Sequence, residues 1–590
     1  MILQELSKYY KRLLEDPQID ICEPGFSPEN ISFRIVISKD GDFINLEDLR
    51  EPDEKNNLRP TIMNVPKFDG KRARGIKPYF LWDKSHYTVG IKSENSIEEE
   101  TLEHKNAFIL LIDEIMGDSL SDYSSIVAIR KFSSNKDNIA KLKAHTHWND
   151  FLNNFAVFEV EGSGFQTVFD DPQILEIWRK HYAKSATGKE MQQGLCLVSG
   201  EKGSLTTTHP TIKRGIGGKN DVPLVSCNID SGESYNKTKG ENAPVSSISA
   251  SYFTGALNYL VDHNTNNILL GDTRGGDRLL FWAEENKESE SFFGSVFDNQ
   301  KRDESKLKEL EATFKIIRKG QYPDELDDDS HFFVLGLAPN SARVSVRFWH
   351  VDTVKSMVTK IGRHVEDLQI IKMFPERETN IPSIWQLLIE TAVLRDSKNI
   401  LPTLAGPLMR SVLSGNRYPN NILALLIGRI RHDQDDKKKG KWKISSYRAS
   451  FIKAILNRNY NKELSVALDK EKTSVPYCLG RLFAVLEKIQ EDSADGEINT
   501  TIKDRYFSSA SATPKVVFPT ILKLSQNHQK KLRTKSPGNM INKEKLLGEI
   551  MGNISEFPAT LKLEDQGEFA IGYYHQRQNF FTKKENKGDN

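Results

Sequence analysis

The stretch from His209 to Leu260 reads HPTIKRGIGGKNDVPLVSCNIDSGESYNKTKGENAPVSSISASYFTGALNYL. It predicts a basic, glycine-rich loop at Lys213–Asn220, a short apolar strand at Pro223–Asn228 and a helix after Ala243-Pro244-Val245. Glycines let a backbone approach another molecule closely, and the flanking Lys and Arg favour an anionic partner. The loop is not a nucleotide P-loop, because Lys213 stands where a Gly is required and Asn220 where Ser or Thr would bind magnesium. A surface hairpin with ordinary turn glycines explains the same residues equally well.

Apolar periodicity divides the rest of the chain into a mixed part and a helical part. Up to about His350, alternating segments such as Ser32–Ser38 and Phe332–Leu337 predict strands, and helices such as Ile2–Leu14 lie between them. Strands are also predicted at Tyr87–Ile91 and Phe165–Phe169, and a helix at Ile384–Leu394. We therefore predict an α+β protein with a mixed α/β N-terminal region of strands and Gly-rich basic loops, followed by an all-helical C-terminal half that ends in a helical bundle. The predicted domains are 1–350, 351–473 and 474–590.

The net charge of +1 produces no global field, so a surface for an anionic partner must come from segregated charge. The segment Glu284–Asp329 holds 14 Asp and Glu against eight Lys and Arg, whereas Arg395–Arg458 holds 14 Lys and Arg against four Asp. In Lys503–Lys535, eight Lys and Arg stand against Asp504 alone. Each basic tract is either a binding surface or a solvated helical face.

Two further glycine-containing loops carry cations. Lys67–Lys77 has five Lys and Arg with one Asp, and such a loop can follow a duplex backbone or simply be solvated. Asp272–Arg278 carries Arg274 and is either a nucleic-acid contact or a tight turn.

Composition excludes several classes of protein. The longest apolar run, Ala107–Ile112, is too short to span a bilayer, and charged residues interrupt the N-terminal helix where a signal peptide would be apolar. The four scattered cysteines predict reduced thiols in a cytoplasmic protein, with neither a zinc site nor a cofactor. His145 and His147 lack a third metal ligand nearby in the sequence, so no metal is predicted.

Common catalytic motifs are also missing from the sequence. It contains no G-x-S-x-G, H-E-x-x-H or Walker A pattern, so we predict a binding protein rather than an enzyme. The alternative is a cytoplasmic metal-dependent nuclease or phosphohydrolase that uses the dipeptide His432-Asp433.

Several collinear stretches resemble the large subunit of the type I-C CRISPR Cascade surveillance complex. They are the central stretch, the N-terminal MILQEL with Tyr9-Tyr10, GIKPYFLWD at Gly75–Asp83, VRFWH at Val346–His350 and the C-terminal tail, so the resemblance covers essentially the whole chain. The central loop departs from the family in reading Lys213-Arg214-Gly215 where Lys-Gly is expected.

The resemblance implies a non-catalytic role in antiviral defence. The large subunit senses the protospacer-adjacent motif in double-stranded DNA and helps to open the strands into an R-loop, while pairing with the guide RNA reads the sequence beyond. The implied partners are double-stranded target DNA, CRISPR guide RNA, the backbone, guide-processing and small Cascade subunits, and a separate helicase-nuclease. No membrane is involved.

The resemblance implies specific DNA-binding roles for residues in the basic segments. The residues expected to sense the DNA motif are Lys71, Arg72, Arg74, Lys77, Lys213, Arg214, Gly215, Gly217, Gly218, Lys219, Asn220 and Arg274. Those expected to hold the DNA backbone are Arg410, Arg417, Arg429, Arg431, Lys530, Lys531 and Arg533. For the tract Arg395–Arg458, the expected backbone is that of the displaced single strand.

The resemblance also implies that the bundle from about Ser474 can be made separately as the small subunit, by internal initiation. No methionine lies between Met409 and Met540, so initiation would need a non-standard codon such as that of Val475. The alternative is that the bundle is only the last domain of the full chain.

Overall fold

The computed structural model describes the chain except for residues 17, 20, 54–55, 68–74, 94–97, 186–192, 213–215, 217–220, 228–231, 264, 271–276, 286, 299–302, 341–342, 437–439, 495, 497, 499 and 582–590. It divides the chain into two compact units. The N-terminal unit comprises Met1–Ile212 and Pro223–Tyr259, and the C-terminal unit comprises Lys213–Val222 and Leu260–Asn590. The predicted division into three domains stays a prediction.

The elements of the N-terminal unit are, in chain order, α1 (Ile2–Glu15), β1 (Phe26–Ile31), β2 (Phe33–Ile37), β3 (Phe43–Asp48), β4 (Glu51–Pro52), β5 (Leu58–Arg59), β6 (Thr61–Pro66), β7 (Trp82–Lys84), α2 (Ser85–Thr88), α3 (Glu98–Met116), α4 (Ser124–Ser134), α5 (Lys136–Lys143), α6 (Trp148–Phe151), β8 (Phe155–Val160), α7 (Pro172–Ser185), β9 (Gln193–Leu195), β10 (Lys202–Ser204) and α8 (Ser247–Asp262).

A four-stranded sheet with the order β3-β2-β8-β7 forms the centre of this unit. Strand β2 pairs in parallel with β8 and antiparallel with β3, so its apolar residues are buried in the middle of the sheet. The turn from β2 to β3 needs glycine at Gly41, where φ is +87° and a Cβ would lie 2.7 Å from the Ala128 carbonyl oxygen.

Helix α8, which ends the central stretch of the sequence, packs on α1. The rings of Tyr10 and Tyr252 lie 5.6 Å apart, and those of Tyr9 and Tyr259 lie 6.3 Å apart. A Cβ on Gly255 would overlap the Tyr10 ring, so glycine is what allows this approach.

The elements of the C-terminal unit continue in chain order as β11 (Asn267–Leu270), β12 (Asp277–Ala283), α9 (Lys287–Phe297), α10 (Glu304–Arg318), β13 (His331–Asn340), β14 (Arg343–Thr353), α11 (Val354–Asp367), α12 (Ile384–Ile389), α13 (Ala405–Ser414), α14 (Asn420–His432), α15 (Ser446–Tyr460), α16 (Val475–Ser493), α17 (Ile502–Ala512), α18 (Pro514–Lys535), α19 (Pro537–Gly552) and α20 (Leu563–Phe581).

One hydrophobic core runs through this unit, from Ile268 on β11 to Tyr574 on α20. Strands β11 to β14 form an antiparallel meander, and one face of it packs into the same core as the helices. Helix α20 lies against both α16 and α15, so the last helix of the chain completes the core. The predicted α+β class, with strands before about residue 350 and helices after it, is confirmed.

Three predicted strands are wrong. Residues 85–88 form a short helix instead of part of a strand. The prediction rested on the alternation of Tyr87, Val89 and Ile91, and so short a run does not distinguish a strand from a helix. In Phe165–Phe169, a 3-10 helix begins at Val168 because the Asp170 carboxylate accepts the Thr167 N–H at 2.7 Å. In Pro223–Asn228, the described residues 223–227 contain no strand.

The structure also describes the cysteines and the apolar character of the helices. All four cysteines are free thiols, as predicted. Among the described residues, no helix combines the length and apolar character needed to cross a membrane.

Candidate nucleic-acid interface

The first predicted motif-sensing loop is fastened at both of its ends. The buried Trp82 Nε1 donates to the Pro66 carbonyl at 2.9 Å, and Tyr79 stacks on Trp82 with ring centroids 4.2 Å apart. The Lys77 backbone N–H donates to the Tyr87 hydroxyl at 3.2 Å, and the Lys77 side chain is exposed. Lys71, Arg72 and Arg74 lie outside the described residues. The sequence GIKPYFLWD therefore builds the anchor of this loop as well as part of its charge.

The second and third predicted loops lie almost entirely outside the described residues. This applies to Lys213, Arg214, Gly215, Gly217, Gly218, Lys219, Asn220 and Arg274. Within the central loop only Ile216 is described, and its side chain is buried, as is that of Ile212 before it. Leu270 pairs with Asp277 across β11 and β12, and the connection between them contains Arg274. The assignment of these residues to motif sensing stays a prediction.

The four arginines of the tract Arg395–Arg458 that are expected to hold DNA backbone do not form one cluster. Arg417 is exposed before the start of α14, whereas Arg429 and Arg431 are at its end. The 13 residues of that helix rise about 20 Å, which separates the two groups. Arg410 is exposed on α13 and donates to the Arg347 carbonyl on β14 at 3.0 Å.

The two arginines at the end of α14 differ in exposure and in their hydrogen-bond partners. Arg429 is half-buried, 3.5 Å from the Asp433 carboxylate. Arg431 is exposed and donates to the Gln566 side chain on α20. A guanidinium has five N–H donors, so one such bond leaves Arg431 able to contact another acceptor.

The third set of predicted contacts lies on the C-terminal half of α18. Lys530 and Lys531 are exposed there, and Arg533 is exposed but paired with Glu544 on α19. Exposed ion pairs contribute little stability, so Arg533 can exchange Glu544 for another anion at small cost.

In the basic tract Arg395–Arg458, two of the acids pair with buried cations, while five of the bases are exposed. Asp433 pairs with the fully buried Arg448 at 3.0 Å, and Asp435 pairs with the nearly buried Lys503 at 2.5 Å. Burial alone would raise the pKa of the Asp435 carboxyl, but the adjacent Lys503 ammonium and hydrogen bonds to it and to the Lys443 N–H hold the pKa below its ordinary value. These carboxylates therefore do not screen the exposed cations. The exposed charged side chains in the described part of the tract are Lys398, Arg410, Arg417, Arg431 and Lys441 against Asp396.

Arg448 is a structural cation that sequence reasoning missed, because the charge count does not show that it is buried. Its guanidinium donates to the carbonyl oxygens of Lys443 and Glu390 at 2.6 and 2.9 Å, and it lies 3.2 Å from the Glu390 carboxylate. Burial lowers the pKa of Arg448, while Glu390 and Asp433 oppose the shift. Because Glu390 also accepts from Arg395 at 3.0 Å, one buried network joins the end of α12 to the end of α14.

This network explains why the predicted helix Ile384–Leu394 is too long. Helix α12 ends at Ile389, and the chain then forms a 3-10 turn at Val393–Arg395. Leu394 and Arg395 both adopt a positive φ, which no α-helix contains.

The arrangement around His432-Asp433 does not favour a metal centre. The Asp433 carboxylate already accepts from Arg448 and faces Arg429, two cations that would oppose a metal ion. Among the described residues, His432 belongs to no group of three side chains spaced to hold a metal.

A different cluster, Asp48, His147 and Asp150, does have such a spacing. Arg50 lies between its two carboxylates, at 2.7 Å from Asp48 and 2.8 Å from Asp150, and supplies the positive charge itself. Hydrogen bonding from Arg50 lowers the pKa of Asp48. We interpret the cluster as an ion-pair network.

These features define a large α+β protein with a helical C-terminal half and an exposed cationic surface. The sequence model of the family described as CRISPR-associated protein (Cas_Csd1) matches residues 6–581, and the chain belongs to this family. The match supports a CRISPR-associated protein of the Cascade type and confirms the resemblance at that level. A comparison with curated proteins found no match.

Proposed function

We propose that this protein is the large subunit of a type I-C Cascade complex. In that role it recognises the protospacer-adjacent motif in duplex DNA, promotes strand opening and R-loop formation, and helps to recruit the helicase-nuclease. The family match over residues 6–581 is the observation that carries the proposal. The proposed partners are guide RNA, target DNA and the other Cascade subunits, and the proposed compartment is the cytoplasm.

The placement of charge supports a role in binding rather than in catalysis. In the basic tract Arg395–Arg458, Asp433 and Asp435 pair with buried cations, and the exposed cations face solvent, where phosphates can reach them. Contacts of this kind position a nucleic acid without reading its sequence. Sequence recognition is therefore assigned to the loops at Lys71–Lys77 and Lys213–Asn220, where glycines allow a backbone to enter a groove and a cation can contact a base edge.

We expect Gly217→Val and Gly218→Val to weaken binding to DNA that carries the motif, because a branched side chain prevents close approach of the loop. Loss of one base-reading contact should cost about 1–3 kcal/mol and relax the motif preference. The test is reconstitution with guide RNA and the other subunits, followed by DNA binding across a randomised motif. Size-exclusion chromatography serves as the control for assembly. Wild-type motif preference in both variants would remove the central loop from the proposal, and the absence of any motif preference in the wild-type complex would refute motif recognition.

We expect replacement of Arg410, Arg417 and Arg431 by Gln to flatten the salt dependence of target binding. Each phosphate contact to a single strand contributes about 0.7 to the slope of log K against log salt, so three lost contacts should reduce its magnitude by about 2. The matched control replaces Lys308, Lys315 and Lys319, which are exposed in the acidic segment Glu284–Asp329, by Gln. An unchanged slope in the arginine variant would make the basic tract a solvated face.

A further inference from the structure

Two adjacent aliphatic side chains project into solvent from the turn after α12. Leu394 is 76% exposed and Val393 is 46% exposed. Single exposed apolar residues are common in folded proteins and need no explanation. This pair, which we call the apolar tip, is distinguished by the backbone that presents it.

The backbone of the apolar tip is strained. Leu394 has a φ of +58° and Arg395 a φ of +51°. Residues with a Cβ rarely adopt this left-handed conformation, and a branched side chain such as leucine gains nothing from it locally. Strain of this kind persists where the surroundings enforce it, and it concentrates at functional sites.

Side chains from outside the tip hold its backbone. The Val393 carbonyl accepts from Asn399 Nδ2 at 3.1 Å, and the Leu394 carbonyl accepts from Lys441 Nζ at 3.3 Å. Arg395 donates to the Glu390 carboxylate at 3.0 Å and to the Trp442 carbonyl at 2.6 Å. All of these bonds involve the tip backbone or Arg395, so they fix the conformation without using the side chains of Val393 and Leu394.

The chemistry around the tip favours a polyanion. Lys398 and Lys441 are both exposed within this turn and its neighbouring loop. The exposed acid nearby, Asp396, accepts the Lys398 N–H at 3.1 Å and so caps its own turn. Arg395, the residue after the tip, is joined through Glu390, Arg448 and Asp433 to the end of α14, which carries Arg431.

We propose that the apolar tip inserts between the bases of a single strand whose phosphates the surrounding cations hold. Aliphatic side chains are known to separate stacked bases, and such contact is sequence-tolerant because every base has an apolar face. A rigid turn suits this task because little conformational freedom is lost on insertion. The inference rests on the proposed function. It adds a contact with the bases, which the exposed cations do not make because they reach only phosphates.

The test is Leu394→Asn in the full-length chain. Asparagine tolerates the left-handed conformation, so the variant removes the apolar side chain and keeps the turn. The probe is a single-stranded DNA oligonucleotide of alternating adenine and 2-aminopurine, whose fluorescence rises when the bases unstack. We expect the variant to bind about five- to tenfold more weakly, near the lower end of the effect of one stacked base, and to lose the rise in fluorescence. The slope of log K against log salt should stay that of the wild type.

The control is Leu110→Gln, which removes an exposed leucine of similar exposure from α3 in the N-terminal unit. Equal affinity and fluorescence for Leu394→Asn and the wild type, with a normal salt slope, would overturn the insertion and leave the proposed function standing. Absence of salt-dependent binding by the wild type would overturn both. Normal DNA binding by the variant together with weaker association with the other subunits would make the tip a protein contact and also overturn the inference.

Discussion

Replacement of Gly480 by alanine is expected to lower the free energy of unfolding of the C-terminal unit by about 3 kcal/mol, the upper end of ordinary overpacking penalties. Helices α16 and α20 touch backbone to backbone at this position. A Cβ on Gly480 would overlap the Phe569 carbonyl oxygen and lie 2.7 Å from the Tyr573 nitrogen. Gly572 makes the reciprocal approach, where a Cβ would overlap the Tyr477 carbonyl. Because backbone atoms cannot rotate away, the two helices would have to separate.

The measurement is chemical or thermal unfolding followed by circular dichroism. The matched control is Gly548→Ala on α19, because a Cβ there meets no atom within 4 Å. That substitution should stabilise the helix by about 0.5–1 kcal/mol, since alanine has the higher helix propensity. Equal stability of Gly480→Ala and the wild type would contradict the close crossing of α16 and α20.

Replacement of Arg448 by methionine is expected to lower the free energy of unfolding by about 3–5 kcal/mol, the usual result of removing one partner from a buried ion pair. Methionine fills a similar volume but provides no donor for the Lys443 and Glu390 carbonyls and no charge for Asp433. Arg448→Lys should cost less, because it restores the charge without the planar fork that reaches several acceptors at once.

The control for this prediction is Arg417→Met. Arg417 is exposed in the same unit, and substitutions at such positions usually change stability by less than about 0.5 kcal/mol. If urea unfolding gave the same midpoint for Arg448→Met and Arg417→Met, the buried network would contribute no stability.

Helical segments were predictable from the sequence where an amphipathic pattern is long. Ile2–Leu14, for example, lies within α1. The prediction failed at Ile384–Leu394, where apolar residues continue beyond Ile389 but side chains distant in sequence impose a turn. Arg395 contacts Trp442, 47 residues later in the chain, and no local pattern contains that information.

The charge count was similarly informative but incomplete. Fourteen cations in Arg395–Arg458 correctly indicated an unusual segment. Lys443, Arg448, Lys453 and Arg458 are nevertheless buried, and the side chains of the last three donate to carbonyls or carboxylates inside the unit. Only tertiary structure separates these structural cations from the exposed ones. The motif-sensing residues of the three glycine-containing loops remain predictions.

The bundle from about Ser474 shares its core with the helices before it, which bears on the predicted separate product. Lys462, before the bundle, pairs with Asp565 and with the buried Glu568 on α20, each at 2.9 Å. A Cβ on Gly567 would lie 3.2 Å from Leu456 on α15. A product starting at Val475 would lack these partners, so we predict that it buries this face of α20 against another protein.

The position of α20 also determines when the protein can finish folding during its synthesis. The Tyr574 hydroxyl on α20 donates to the carbonyl of Ile371, which is translated 203 residues earlier. At about 5–20 residues per second, the ribosome takes roughly 10–40 s to add that length of chain. Throughout this interval the apolar faces of the earlier helices lack their last partner and are open to chaperones and proteases. A stop codon just before α20 would therefore leave a nearly complete chain permanently in that vulnerable state.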